Sequence, residues 1–459
     1  MTGAALLRVA VVGAGPAAFY AADALLTQDT APAQVDMFER LPCPYGLVRF
    51  GVAPDHQKIK TVTRAFAKTA EHPNFRFFGN VEIGSTLTIA DLREHYHQVL
   101  FATGAQSDRK MNIPGEDLLR SRPATDFVAW YNGHPYYRDL SFDLSQETVA
   151  IVGVGNVAVD VARILALSPA ELARTDMAAH AVEALSHSRV RDIYLLGRRG
   201  PAQAAFTNPE VKELGELEAA DVIVDPAEAE LDSLSAQALE ASGDRSTARK
   251  VELLHSYARR QPEGKRRRLH LRFLVSPLEL LDDGNGAVGG MTLGRNRLVR
   301  TPSGNISAEP TGETESIPAG LVFRSVGYRG SPIPGVPFDE RWGVIRNQAG
   351  RVVDEAGEHI AGLYTAGWIK RGPSGVIGTN KPDAVETVEA MIEDGRCREL
   401  RPLPRAGAVT ELLGTRACRP VSFEEWQQLD ALEIAAGEAC GRPRVKFTSV
   451  EEMLSALTG

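Results

Sequence analysis

The sequence predicts an α/β protein with two Rossmann-like dinucleotide-binding domains. A β-branched run meets a glycine turn and an alanine-rich helix pattern at RVAVVGAGPAAFYAADALL, residues 8–26, and the same order recurs at TVAIVGVGNVAVDVARILA, residues 148–166. Strand, glycine turn and helix in that order aim backbone N–H groups and the positive end of a helix at a pyrophosphate. Length agrees, because 459 residues make two or three domains of ~100–200 residues each. Composition agrees as well: 43% hydrophobic and 24% charged residues are the values of an ordinary globular protein.

The first turn reads Gly13-Ala14-Gly15-Pro16-Ala17-Ala18. Gly13 permits the tight bend, and Gly15 lets the backbone approach a phosphate. A second short strand, VDMFER (35–40), ends in Glu39, whose carboxylate suits a ribose hydroxyl. This site is expected to take an adenosine without a 2′-phosphate.

The second turn reads Gly153-Val154-Gly155-Asn156-Val157-Ala158. Its following strand, RDIYLLGRRGP (191–201), ends in Arg198 and Arg199 where the first ends in an acid. Two planar guanidiniums suit a 2′-phosphate, which a carboxylate would repel, so NADPH is expected over NADH. The longer gap between turn and arginines is helix-patterned and reads as an extended crossover. Two dinucleotide sites in one chain suggest a flavoenzyme, with FAD in one and the nicotinamide cofactor in the other.

Other classes are disfavoured. A net charge of −8 argues against bulk nucleic-acid binding. No apolar run approaches the ~20 residues needed to cross a bilayer, and the start, MTGAALLRVAVVGAG, reads as a first strand instead of a secretory signal. Cys43, Cys397, Cys418 and Cys440 include no C-x-x-C pair, so no redox disulfide, zinc knuckle or iron–sulfur cradle is expected, and no metal site. Free thiols fit a reducing cytoplasm.

GAGPAAF, YGLVRFGVAPDHQKIK, GVGNVAVDVARIL, GRRGPAQAAFT, RSVGYRG and GWIKRGPSGVIGTN together resemble NADPH-dependent adrenodoxin reductase and its bacterial ferredoxin–NADP reductase relatives. The resemblance runs along nearly the whole chain, including the tail GRPRVKFTSVEEML. It implies a glutathione-reductase-like fold, FAD, NADPH as hydride donor and a ferredoxin-type iron–sulfur protein as acceptor, with cytochrome P450 support as one downstream use. The late segment HIAGLYTAGWIKRGPSGVIGTN (359–380) then belongs with the flavin, so the NADPH domain (108–331) is expected to be inserted into a discontinuous FAD domain (1–107 and 332–459).

Residue roles follow from the same resemblance. Leu47 and Ile83 look like backbone neighbours of FAD, Arg109 resembles a residue near its phosphates, and Trp368 resembles the family's tryptophan at the flavin. Gly375, Val376 and Ile377 look like the turn where flavin and nicotinamide meet. Asn156, Arg198, Arg199 and Glu210 resemble NADPH contacts. Ala17 departs from relatives that carry serine there, which removes a hydroxyl but leaves the backbone donors. His56 is expected to assist proton traffic at the flavin with Glu213 as candidate partner, since histidine titrates near 6.5. Without the resemblance, Glu210 and Glu213 read more simply as acids complementing the first turn of a helix begun by Asn208 and Pro209.

The run ARRQPEGKRRRLHLR (258–272) holds seven basic residues against one acid in an acidic chain. A solvated face is one reading. Docking of an acidic ferredoxin through Arg266, Arg267 and Arg268 is the other, since complementary charge steers encounter. Three rival functions stand beside ferredoxin reduction: a disulfide reductase, disfavoured by the missing C-x-x-C; a general NADPH diaphorase or quinone reductase; and a non-catalytic NADPH-binding regulator.

Overall fold

The computed structural model describes residues 6–397 and 400–458. They form two compact units. The first comprises residues 1–107 and 327–459, the second residues 108–326. The second unit ends at Val326, and the chain returns to the first at Gly327.

In the first unit a seven-stranded sheet runs in the order Asn347–Gln348, Arg351–Val353, His359–Thr365, Gln98–Phe101, Leu7–Val12, Ala33–Phe38, Phe75–Phe78. The five strands from His359–Thr365 to Phe75–Phe78 are parallel, and the two at the other edge pair antiparallel. Leu7–Val12 is buried along its whole length, as expected of a central parallel strand covered on both faces. The late strand His359–Thr365 pairs with Gln98–Phe101, so chain segments more than 250 residues apart complete one sheet. Helices Pro16–Thr27 and Asn380–Arg396 pack on it, Asn380–Arg396 beginning just before the Lys381-Pro382 start read from sequence. The stretch after Pro54 forms two short helices, Gln57–Lys60 and Thr63–Ala70, with His56 at the start of the first.

The second unit holds a six-stranded, all-parallel sheet in the order Ser121–Pro123, Leu321–Arg324, Thr148–Val152, Asp192–Leu196, Arg267–Arg272, Ala220–Val224. Helix Asn156–Ala166 crosses its core, and nine of its residues are buried. A three-stranded antiparallel sheet, Val275–Asp282, Val288–Arg300 and Ile306–Pro318, is added to this unit. The sequence reading did not foresee it. Its third strand is exposed at most positions, so the apolar alternation that marks a strand is absent.

Candidate nucleotide and redox site

Both glycine turns leave the C-terminal end of a central strand and enter a helix, where open α/β sheets bind ligands. At the first, Gly13 has φ +99°, and a Cβ there would stand 2.6 Å from the Ala102 carbonyl oxygen, so only glycine fits. A Cβ on Gly15 would meet nothing within 4 Å, which leaves open space at the helix end. Helix Pro16–Thr27 has no side-chain cap and no acid in its first turn, so its leading N–H groups stay available to an anion. Ala17 sets its methyl against the Gly367 backbone.

Glu39 directly follows strand Ala33–Phe38 and closes this site. Its Oε2 accepts from the Ala14 N–H at 3.1 Å and its Oε1 from the Leu41 N–H at 3.2 Å. Burial pushes its carboxyl above the ordinary value, against the pull of those N–H groups and of Arg40. The uncapped helix, the space at Gly15 and this carboxylate fit the pyrophosphate and ribose of FAD.

The stretch YGLVRFG folds onto the same turn. The Tyr45 N–H donates to the Ala14 carbonyl at 2.8 Å, and a Cβ on Gly46 would lie 3.0 Å from Gly15 Cα. Leu47 follows, 43% exposed, at the head of helix Leu47–Phe50. Ile83 comes two residues after Val81, whose N–H donates to the Glu39 carbonyl at 2.9 Å. Trp368 stacks near-parallel on Tyr328, centroids 6.4 Å apart, and its indole N–H donates to the Ser374 carbonyl at 3.1 Å. Gly375 has φ +78°, Val376 is 52% exposed, and Ile377 opens a 3₁₀ turn into helix Asn380–Arg396. Leu47, Ile83, Trp368 and Gly375–Ile377 thus share the first unit with Gly13–Ala17 and Glu39, whereas Arg109 lies just inside the second.

Sequence reasoning missed what holds YGLVRFG in place. Arg49 forms a two-pronged ion pair with Glu433 at 2.8 and 2.5 Å, both side chains fully enclosed. Trp426, 2% exposed on helix Phe423–Glu438, meets the Tyr45 ring edge-on and lies 5.0 Å from the Arg49 guanidinium. The helix Phe423–Glu438 is therefore a clamp on the YGLVRFG loop.

At the second turn Gly153 has φ +125°, and a Cβ would stand 2.2 Å from the Ser325 carbonyl oxygen. Gly155 again faces open space, and helix Asn156–Ala166 has no side-chain cap. The Val154 carbonyl accepts from the Ala205 and Phe206 N–H groups at 3.0 and 2.9 Å. The Asn156 side-chain oxygen accepts from the Thr207 N–H at 2.9 Å. Together these fold the GRRGPAQAAFT loop back over the turn. Arg198 is exposed and Arg199 half-buried, and neither guanidinium has an ion-pair partner among the described residues. Burial, then the charge of Arg198, pull the Arg199 guanidinium below its ordinary value. Two crowded, unpaired guanidiniums fit a phosphate dianion.

Glu210 and Glu213 sit on helix Asn208–Leu214, whose N-cap is Thr207 and not the expected Asn208; Asn208 instead donates to the Ser246 carbonyl. Arg163, 3% exposed, ion-pairs with Asp160, Glu210 and Glu213 at 2.8, 3.2 and 3.3 Å. His56 lies in the other unit.

The three-arginine docking patch needs correction. Arg267 is 2% exposed, and its guanidinium donates to the carbonyls of Ala166, Leu167 and Val190, satisfying the end of helix Asn156–Ala166. Strand alternation turns Arg267 inward and Arg268 outward, where Asp192 holds it. Arg266 donates to the Ser188 carbonyl at 3.3 Å. One member of the patch is thus a core helix cap.

Residues 7–194 match the family "Pyridine nucleotide-disulphide oxidoreductase". The chain is similar to the NADPH-ferredoxin reductase FprA of Mycobacterium tuberculosis, 48% identical over 457 residues that cover 97% of this chain and 98% of that protein. It is also similar to the mitochondrial NADPH:adrenodoxin oxidoreductase of Homo sapiens, 43% identical, covering 98% and 92%. A solved structure of M. tuberculosis FprA in complex with NADPH superposes with a TM-score of 0.93 at 47% identity, covering 99% of this chain and 100% of that one.

Proposed function

The chain belongs to the family of NADPH-dependent ferredoxin and adrenodoxin reductases, and on that premise we propose that it moves electrons from NADPH through FAD to a ferredoxin-type iron–sulfur protein. The observation that carries this reading is the pair of glycine turns, one per unit, closed by a carboxylate at Glu39 and by guanidiniums at Arg198 and Arg199. FAD supplies the step from a two-electron hydride donor to single electrons, which an iron–sulfur centre requires.

The protein's part is to bind, orient and exclude water. Gly13–Ala17 and Glu39 hold the adenosine and pyrophosphate of FAD, with Leu47, Ile83, Arg109 and Trp368 as further neighbours. Gly153–Asn156 hold the NADPH pyrophosphate, and Arg198 and Arg199 take the 2′-phosphate. Glu210, ion-paired to Arg163, is a further neighbour proposed for NADPH. Gly375–Ile377 would border the flavin on the side open to the nicotinamide, and the two cofactors would supply the hydride chemistry. His56 accepts and returns the proton that accompanies the electrons, a task open to an imidazole because each ring nitrogen can carry or release a proton.

Disulfide reduction is disfavoured, because Cys43, Cys397, Cys418 and Cys440 include no C-x-x-C pair. No helix among the described residues is long and apolar enough to cross a membrane. We place the reaction in the cytoplasm, which free thiols suit, and a cytochrome P450 among the downstream acceptors. The test is cytochrome c reduction by NADPH with and without an added acidic [2Fe–2S] ferredoxin. Strong stimulation by ferredoxin is expected, and an equal rate without it would make the protein a general diaphorase.

A further inference from the structure

The backbone of Gly197–Arg199 is pinned at four points. The Gly197 N–H donates to the Arg272 carbonyl at 2.8 Å, and the Gly197 carbonyl accepts from the Val275 N–H at 3.0 Å. The Arg199 carbonyl accepts from the Leu274 N–H at 3.2 Å. The Arg198 carbonyl accepts from the side-chain amide of Asn296 at 2.9 Å. Three of these bonds are backbone to backbone and do not depend on residue type. The fourth is the one a single side chain controls.

Asn296 is held for this task. It is 8% exposed, and its N–H donates to the Leu274 carbonyl at 2.8 Å. The second proton of its amide goes to Ser276 Oγ at 2.8 Å, so both amide protons are committed. A carbonyl partner requires a donor, which fixes the amide orientation. The pairing of strands Val288–Arg300 and Ile306–Pro318 shifts register between Gly294 and Asn296, a bulge of the kind that re-aims a side chain. Beside it, a cavity of about 260 Å³ is bordered by Arg198, Ser276 and Asn296. The neighbouring Arg295 is spoken for by Glu228 at 2.6 Å, which leaves Arg198 as the cation without an ion pair at this cavity.

We infer that Asn296 is a specificity-determining positioning residue for the nicotinamide nucleotide: through the Arg198 carbonyl it fixes the stem from which the 2′-phosphate guanidinium reaches. The three-stranded sheet of this unit then acts as the frame of cofactor choice. The inference rests on the assignment of Arg198 and Arg199 to the 2′-phosphate. Asn296 acts through the Arg198 carbonyl, and only the 2′-phosphate of NADPH calls on that guanidinium, so its effect appears in the ratio of the two.

The experiment measures kcat/KM for NADPH and for NADH on the FAD-loaded enzyme, for Asn296→Ala and, in parallel, Arg198→Ala. Loss of one hydrogen bond to the Arg198 carbonyl should lower the NADPH/NADH ratio about three- to tenfold through KM for NADPH. Arg198→Ala should lower it further. An unchanged ratio in Asn296→Ala beside a collapsed ratio in Arg198→Ala overturns the inference alone. Parallel losses for both nucleotides overturn it too, since they mark a merely structural role. An unchanged ratio in Arg198→Ala removes the 2′-phosphate assignment and the inference with it. If the alanine variant does not fold with bound FAD, Asn296→Ser is read by the same ratio.

Discussion

Arg49 and Glu433 stand 384 residues apart in sequence and form an enclosed, two-pronged ion pair. The pair joins the flavin-side loop to the C-terminal helix, with the Phe447 N–H and Arg444 adding to the same carboxylate. Burial alone would push Glu433 upward, but the Arg49 charge and hydrogen bonds outweigh it and hold the carboxyl below its ordinary value. A depressed carboxyl stabilises the fold above the unfolded value and loses that contribution as pH falls through the folded one. Glu433→Gln leaves Arg49 buried without its charge partner. Urea unfolding at neutral pH should show a loss of about 3 kcal/mol or more, with FAD released at lower urea. The difference from wild type should shrink only below the ordinary glutamate value of about 4.3.

Arg267 separates a helix cap from a docking cation. Arg267→Gln should cost about 2 kcal/mol of stability by weakening charged hydrogen bonds to the Ala166 and Leu167 carbonyls. The salt dependence of ferredoxin turnover should stay as in wild type. A flattened salt dependence at unchanged stability would restore the docking role.

Glu39→Gln replaces one acceptor oxygen by an amide group that must face the N–H of Ala14 or of Leu41. FAD dissociation, followed by flavin fluorescence, should report about tenfold weaker binding, in line with losing one or two hydrogen bonds. Retention of wild-type affinity would remove Glu39 from the flavin site.

The thiols should divide by exposure. Burial pushes the Cys43 thiol up to about 12, against the nearby Arg49 charge. Cys397 and Cys440 are exposed. At pH 8, maleimide labelling followed by peptide mapping should mark Cys397 and Cys440 in the native protein and Cys43 only after unfolding.

What is legible in the sequence is local. Gly13 and Gly153 mark turns that no other residue fits, and a carboxylate at Glu39 against guanidiniums at Arg198 and Arg199 is the contrast from which two different riboses are proposed. What escaped depends on register and on distance along the chain. Whether Arg267 or Arg268 faces inward is a matter of strand phase within a run of three arginines. Arg49 and Glu433 meet through tertiary packing that no spacing encodes. Asn296 sits in a strand pair whose polar surface hides its periodicity, and its aim follows from a bulge. The late strand His359–Thr365 was placed with the flavin by family resemblance, since nothing in its own pattern names Gln98–Phe101 as its neighbour.

The central claim is that NADPH reduces a flavin held by this chain. Anaerobic rapid mixing of the FAD-loaded protein with NADPH or NADH, followed through the oxidised-flavin absorbance, tests it most directly. NADPH should bleach the flavin promptly, and NADH at least tenfold more slowly at equal concentration. Equal rates for both nucleotides, or a flavin that stays oxidised with NADPH, would contradict it.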